Sequence, residues 1–165
     1  MIRLSVLIPT VGRPTLQRAI DSAAGADEIL VDFNQDGDLG YAARTRMMEE
    51  ASGTHLLFMD DDDVYAPGAI ELLRSLAEDQ PDRVHICQMR YGGAGGVLWH
   101  TRIVKHGNIG TPMLLVPNVR GKLGVWEPHD GDGSGAGDYV FAASTIALQG
   151  PPVWVERVIC LVRPE

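Results

Sequence analysis

The sequence predicts an α/β fold: one domain built on a mainly parallel sheet flanked by helices. Three observations predict it. Short apolar segments alternate with helical segments through residues 1–90. The joints between them are brief and rich in Gly, Pro and Asp. Most of the helical segments carry a start or stop signal of their own. Alternation of this kind lays helices on the faces of a sheet through right-handed crossovers.

Taken in order, residues 4–8 (LSVLI) read as a buried strand. Pro14 opens PTLQRAIDSAAG, in which Leu16, Ile20 and Ala23 or Ala24 share a helical face, and Gly25 suits the position past its end. EILVDF (28–33) is a second strand, and NQDGDLG is a loop by composition. Residues 41–52 follow a helical pattern that Gly53 stops. HLLFM (55–59) is a third strand. Pro67 starts a third helix, with Ile70, Leu73 and Leu76 or Ala77 on one face. RVHICQM (83–89) is a fourth strand.

Beyond residue 90 the pattern loosens. MRYGGAGGVLWH resembles a hairpin whose Gly-rich turn lacks both the GxGxxG spacing and the lysine of a phosphate loop. TPMLLVP reads as a strand bounded by prolines. GDGSGAG is a flexible lead-in to a helix, DYVFAASTIAL, that ends at Gly150. VWVERVICLV reads as one strand or two.

The totals narrow the function classes. A chain of 165 residues, 45% apolar and 22% charged, is large enough for its own core. A net charge of −8 argues against broad binding to nucleic acid or an anionic membrane, since both need basic surface. It leaves a locally basic pocket open. Cys87 and Cys160 sit in apolar, β-branched settings and read as two buried thiols of a cytoplasmic protein. No apolar run approaches the ~20 residues that span a bilayer.

The segment HLLFM runs straight into four aspartates, Asp60 to Asp63. In open α/β sheets, ligands bind at the carboxyl ends of the strands. Adjacent carboxylates there raise one another's pKa values unless a cation compensates them. Hard oxygen donors favour Mg²⁺, Mn²⁺ or Ca²⁺, and Mg²⁺ in particular is held by a carboxylate or two together with substrate phosphates. A metal-bridged phosphate ligand is therefore one reading. A solvated acidic loop, or an acid-rich helix start before Pro67, is the other.

Two families place paired aspartates after an apolar strand. LLFMDDDDV resembles the haloacid-dehalogenase-type phosphatase motif through Asp60, Asp62 and Val64. That family carries the motif on its first strand and needs a later Lys and a second acidic pair, and here the motif lies on the third strand. The resemblance to family-2-type nucleotide-sugar glycosyltransferases of the GT-A fold runs further. LSVLIPTVGRPTLQRAIDSA is similar to that family's opening, and EILVDFNQD to its second strand. GYAARTRMMEEASGTHLLFMDDDDVYAPGAIELL is similar to its longest signature. The match covers the first half of the chain, and its ordered set is more specific than any single motif.

The resemblance implies roles for individual residues. Pro9 and Thr10 match the strand-end turn beside the nucleobase, and Arg13 follows on the nucleotide side. Asp32 matches the aspartate that contacts base or ribose. DFNQD departs from the usual Asp-Asp/Asn-Gly-Ser, so Asn34 competes with Asp32 for that role. Arg44 matches the arginine near base and phosphates, with Thr45 where the family has Asn. Arg46 reads as a solvated helix residue. Asp60 matches the ribose or metal contact and Asp62 the metal ligand. Asp61 is the variable middle position, on the nucleotide side and turned away from the metal pair. Asp63 is a second-line metal ligand or a cap for the helix at Pro67.

In the second half, SGAGDYVFAAS looks like the family's base-carrying element, which puts Asp138 forward as general base. A helix cap is its plain alternative. Asp130 and Asp132 stand behind it. His129 is read as a metal or phosphate contact or as an ordinary loop histidine. His55 and His85 read as structural. Trp99 and Trp126 stack on a sugar or simply pack.

The expectation is a single GT-A domain, with residues 1–90 holding the nucleotide-sugar and 91–165 supplying acceptor site and base. It implies a UDP-, GDP- or dTDP-linked donor, Mn²⁺ or Mg²⁺, and inversion at the anomeric carbon. The acceptor is open, a modified nucleic-acid base included. The acceptor half is short, so a homo-oligomer completing it is a further expectation. A phosphoryl-transfer enzyme and a non-catalytic nucleotide-sugar-binding module are the alternatives.

Overall fold

Every side chain of the first strand, β1 (Leu4–Thr10), is buried, as its apolar run requires of a strand covered on both faces. The structure is a computed structural model that describes residues 1–34, 37–92, 95–127 and 137–164. The elements after β1 are α1 (Leu16–Ser22), β2 (Glu28–Phe33), α2 (Tyr41–Glu50), β3 (His55–Phe58) and a two-residue β4 (Val64–Tyr65). Next come α3 (Ala69–Asp79), β5 (His85–Tyr91), β6 (Val97–Leu98) and a 3-10 turn at Thr111–Met113. β7 (Leu114–Pro117), α4 (Gly137–Gln149) and β8 (Val153–Val162) complete the order.

The helices bury the faces their spacing marks out. α3 turns Ala69, Ile70, Leu73 and Ala77 inward, an i, i+4, i+8 stripe with Ile70 beside it. α4 turns in Phe141, Ala142 and Thr145. Phe58 of β3 packs edge-on to Phe141 at 5.0 Å between centroids, so the sheet and α4 share one core.

The strands form one sheet in the order β2-β1-β3-β7-β5-β8-β4, with β6 beside β5. β1 pairs in parallel with β2 and with β3, and β5 pairs in parallel with β8. The pairings β3–β7, β5–β7, β5–β6 and β4–β8 are antiparallel. The sheet is thus mixed, although β1, β2, β3, β5 and β8 all run one way. The fourth strand of the alternating pattern, β5, does not lie against β3. β7 slides between them, reversed, with all four side chains buried. Apolar periodicity identifies a strand but not its neighbour, and so did not foresee this.

The direction shared by five strands matters for function. The carboxyl ends of β1, β2, β3 and β8 emerge on one edge of the sheet. β7 runs against them, so the 3-10 turn that precedes it arrives at the same edge. No helix among the described residues is long and apolar enough to cross a membrane.

Candidate active site

A cleft of about 460 Å³ opens at that edge. Its walls come from Pro9 and Thr10 after β1, Asn34 after β2, Asp60, Asp61 and Asp62 after β3, Arg44 on α2, Thr111, Asp138 on α4 and Arg163 after β8.

The four aspartates form a turn. The Asp63 N–H donates to the Asp60 carbonyl at 3.1 Å, which sends successive carboxylates in different directions. Asp61 is 1% exposed and turns toward β1. It accepts from the Thr10 hydroxyl at 2.6 Å, from the Val11 N–H at 3.3 Å and from the Arg13 guanidinium. Burial alone would push its pKa up, but these donors carry it below the usual carboxylate value. Asp60, Asp62 and Asp63 turn the other way, and each offers an oxygen within 4.8 Å of the others.

Asp63 is buried and accepts the Arg163 main-chain N–H at 3.0 Å. Burial, then the nearby Asp60 charge, pushes its pKa to about 7. It does not cap a helix as one of its two readings expected. α3 begins at Ala69, with Gly68 as N-cap and no side-chain cap. Asp60 and Asp62 are paired with arginines, yet three carboxylate oxygens converging within 4.8 Å of one another are a donor set that fits a hard divalent cation.

Arg44 enters from the first turns of α2. Its guanidinium pairs with Asp60 and donates to the Leu39 carbonyl at 3.0 Å. It lies 4.9 Å from the centroid of the Trp126 ring. Gly40 makes this approach possible. At φ +86° it adopts the left-handed region, and a Cβ there would stand 2.9 Å from Arg44 Nη1 and 3.0 Å from Pro9. Asp38 holds the helix start by accepting from the N–H groups of Gly40 and Ala42, at 3.0 and 2.6 Å.

Asp138 stands at the first turn of α4, on the far wall. Its carboxylate accepts from the Thr111 hydroxyl. Burial raises its pKa above the usual carboxylate value, and the Thr111 hydrogen bond offsets part of that rise. Beside it, Tyr41 receives the Gly137 N–H at 3.3 Å.

Other expected residues fall differently. Asp32 is absent from the cleft wall and is paired with Arg46, at 2.7 Å from its Nε, while Asn34 lines the cleft. Arg46 therefore anchors α2 to β2 and is not merely solvated. Trp126 packs on Phe141, with rings 4.3 Å apart and nearly parallel, and edge-on to Phe58. Trp99 is buried and donates to the Ile86 carbonyl at 3.2 Å. Both tryptophans pack rather than present a face for a sugar. His55 and His85 are buried in strands, as are the thiols of Cys87 and Cys160. His129, Asp130 and Asp132 lie outside the described residues.

Sequence reasoning missed Thr111, Tyr41 and Arg163. Thr111 and Arg163 carry no motif, and only β7 and β8 bring them to the cleft. Backbone geometry marks the wall independently. Among the described residues, the non-glycine positions with positive φ are Leu39 (61°) and Arg163 (45°), and both line the cleft.

A sheet whose carboxyl edge holds an acidic cleft is the architecture of the GT-A glycosyltransferases. Solved structures bear this out. The chain superposes on TarS 1–349 of S. aureus with a TM-score of 0.73 at 12% identity, covering 98% of this chain and 60% of that one. The same protein in complex with UDP-GlcNAc matches with a TM-score of 0.74 at 12% identity, covering 99% and 59%. In complex with UDP it matches at 0.70 and 12% identity, covering 99% and 61%. The chain thus spans about 60% of the length of these relatives. No curated protein matches it in sequence. The sequence model described as Glycosyl transferase family 2 matches residues 28–124, more than half of the chain. The chain belongs to glycosyl transferase family 2. Membership removes the phosphatase-like alternative.

Proposed function

We propose that the chain transfers a sugar from a nucleotide-diphosphate sugar to an acceptor hydroxyl, with inversion and with a divalent cation. The observation that carries this is the convergence of Asp60 and Asp62, Arg44 and Asp138 on one cleft from three distant segments, with an Asp63 oxygen within 4.8 Å of the other two carboxylates. UDP-linked sugars are the first donors to test, because the TarS structures hold UDP-GlcNAc and UDP. GDP- and dTDP-linked sugars follow.

Asp60 and Asp62, with Asp63 behind them, would hold Mn²⁺ or Mg²⁺. When bound, the cation offsets the charge that builds on the leaving diphosphate. Arg44 adds a fixed guanidinium toward the phosphates. Asn34, Pro9 and Thr10 form the edge where the nucleobase lies, and Asp61 keeps Thr10 and Arg13 in place beneath it. Asp138 takes the proton of the acceptor hydroxyl as that oxygen attacks the anomeric carbon. Burial suits it to the task, since a raised pKa makes a carboxylate a stronger base.

Thermal-shift measurements with nucleotides and nucleotide sugars, with and without Mn²⁺, test the donor half. A metal-dependent shift that disappears in Asp62→Ala is expected. No shift with any nucleotide would sink the reading. Binding without consumption of any donor would instead identify a nucleotide-sugar-binding module.

A further inference from the structure

Three guanidinium groups stand against the aspartate run. Arg44 takes Asp60, Arg13 takes Asp61 and stands 3.9 Å from Asp62, and Arg163 takes Asp62 more closely, at 3.2 Å. They differ in freedom. The Arg44 side chain is 4% exposed and is pinned by the Leu39 carbonyl and the Trp126 ring. Arg13 is half-exposed and bound to a carboxylate that Thr10 and Val11 also hold. The Arg163 side chain is 77% exposed, and among the described residues its guanidinium has one partner, Asp62 at 3.2 Å from Nε.

The main chain around Arg163 is as fixed as its side chain is free. Its N–H donates to Asp63 at 3.0 Å. The preceding carbonyl, of Val162, accepts from the Gly92 N–H at 2.8 Å, and the following one, of Pro164, accepts from Arg18 at 3.1 Å. Between these anchors Arg163 sits at φ +45°, a conformation a non-glycine residue keeps only when its surroundings impose it. The result is a long cationic arm on a rigid root at the cleft wall.

The geometry points to Arg163 as a residue that binds the diphosphate of the donor, parked on Asp62 until a cation takes that carboxylate. This rests on the nucleotide-sugar reading above. A cation bound to Asp62 competes with the guanidinium for the same charge. Arg44 likewise loses its claim on Asp60, but it is pinned and stays where it is. Arg163 is free to turn, and phosphate oxygens offer its planar fork a better match than water does.

The exchange has a signature that a structural role lacks, because one substitution must move two affinities in opposite directions. Calorimetry on the wild type and Arg163→Gln would measure Mn²⁺ alone, then UDP, GDP and dTDP each with Mn²⁺. Glutamine keeps the main-chain N–H that holds Asp63, and a melting curve checks the fold. In Arg163→Gln, Mn²⁺ alone is expected to bind several-fold more tightly, since the nearer of the two guanidinium groups at Asp62 is gone and Arg13, at 3.9 Å, remains bound to Asp61. The nucleoside diphosphate with Mn²⁺ is expected to bind about ten-fold more weakly, the loss of a charge-assisted contact. Arg163→Lys should restore part of the diphosphate affinity. Unchanged or weaker Mn²⁺ binding in Arg163→Gln overturns the proposal, as does unchanged diphosphate binding. If the wild type binds none of the three diphosphates, the donor reading has failed and this proposal goes with it. If the wild type binds one and the glutamine variant matches it, only the role of Arg163 has failed.

Discussion

Arg44, on α2, pairs with Asp60, the first aspartate beyond β3, while its guanidinium lies 4.9 Å from the centroid of the Trp126 ring. One buried cation thus ties the acidic turn to the aromatic cluster beneath α4. Arg44→Lys keeps the charge but loses the planar group that bridges Leu39, Asp60 and Trp126 at once. The expected cost is about 1–3 kcal/mol of stability by urea denaturation, with weaker binding of nucleoside diphosphate. A lysine variant as stable as the wild type would show that the bridge contributes little.

Asp138 governs the pH dependence expected of transfer. Its carboxyl has a raised pKa, chiefly from burial. Activity should therefore fall with decreasing pH at values above the ordinary carboxylate range, as the base takes up a proton. Thr111→Val removes the hydroxyl that holds this pKa down, so the acid limb should move to still higher pH. Asp138→Asn should lower the turnover rate by about 10²–10⁴-fold while nucleotide affinity is retained. pH–rate profiles of the three proteins check this, and a Thr111→Val profile that shifts downward contradicts it.

Asp63 makes a prediction about stability without added metal. Its folded pKa is about 7, above the usual 3.8. The folded chain binds this proton more tightly than the unfolded one, so the stabilising contribution is full below pH ~4 and is lost as pH rises toward 7. The size is a few kcal/mol at most, at about 1.36 kcal/mol per pH unit. Denaturation at pH 5 and pH 8 should show the loss. In Asp63→Asn this contribution should vanish, leaving a flatter profile. Equal slopes for the two proteins would remove Asp63 as the cause.

Gly137 precedes Asp138, and a Cβ there would stand 2.3 Å from the Tyr41 ring. Gly→Ala ordinarily favours a helix, by about 0.5–1 kcal/mol. Here the sign should reverse, to a loss of about 1–3 kcal/mol from overpacking, with reduced transfer because Asp138 is displaced. Thermal unfolding and activity of Gly137→Ala test both parts. A gain in melting temperature would mean that Tyr41 yields without cost.

Much of the first half was legible because its signals are local. Apolar runs, prolines and glycines mark β1, β2, β3, α2 and α3 closely, and the interval from Arg44 to Asp60 accompanies the family's signature. The choice between Asp32 and Asn34 was not legible. Asp32 is the penultimate residue of β2 and Asn34 comes directly after the strand, and only the ion pair of Asp32 with Arg46 separates the residue on the outer flank from the one on the cleft wall.

What the sequence by itself determined is most of the helices and longer strands, the family and the acidic run, since each depends on residues near one another in the chain. The two-residue β4 and the 3-10 turn at Thr111–Met113 were not among them. The tertiary structure alone decided which surfaces meet. β7 enters reversed between β3 and β5 and carries Thr111 to Asp138. β8 runs parallel to β5 and delivers Arg163 to Asp62, 101 positions away in the chain. Strand order and direction follow from burying whole faces of the sheet at once. No short stretch of residues encodes that, and so the far wall of the cleft became visible only with the fold.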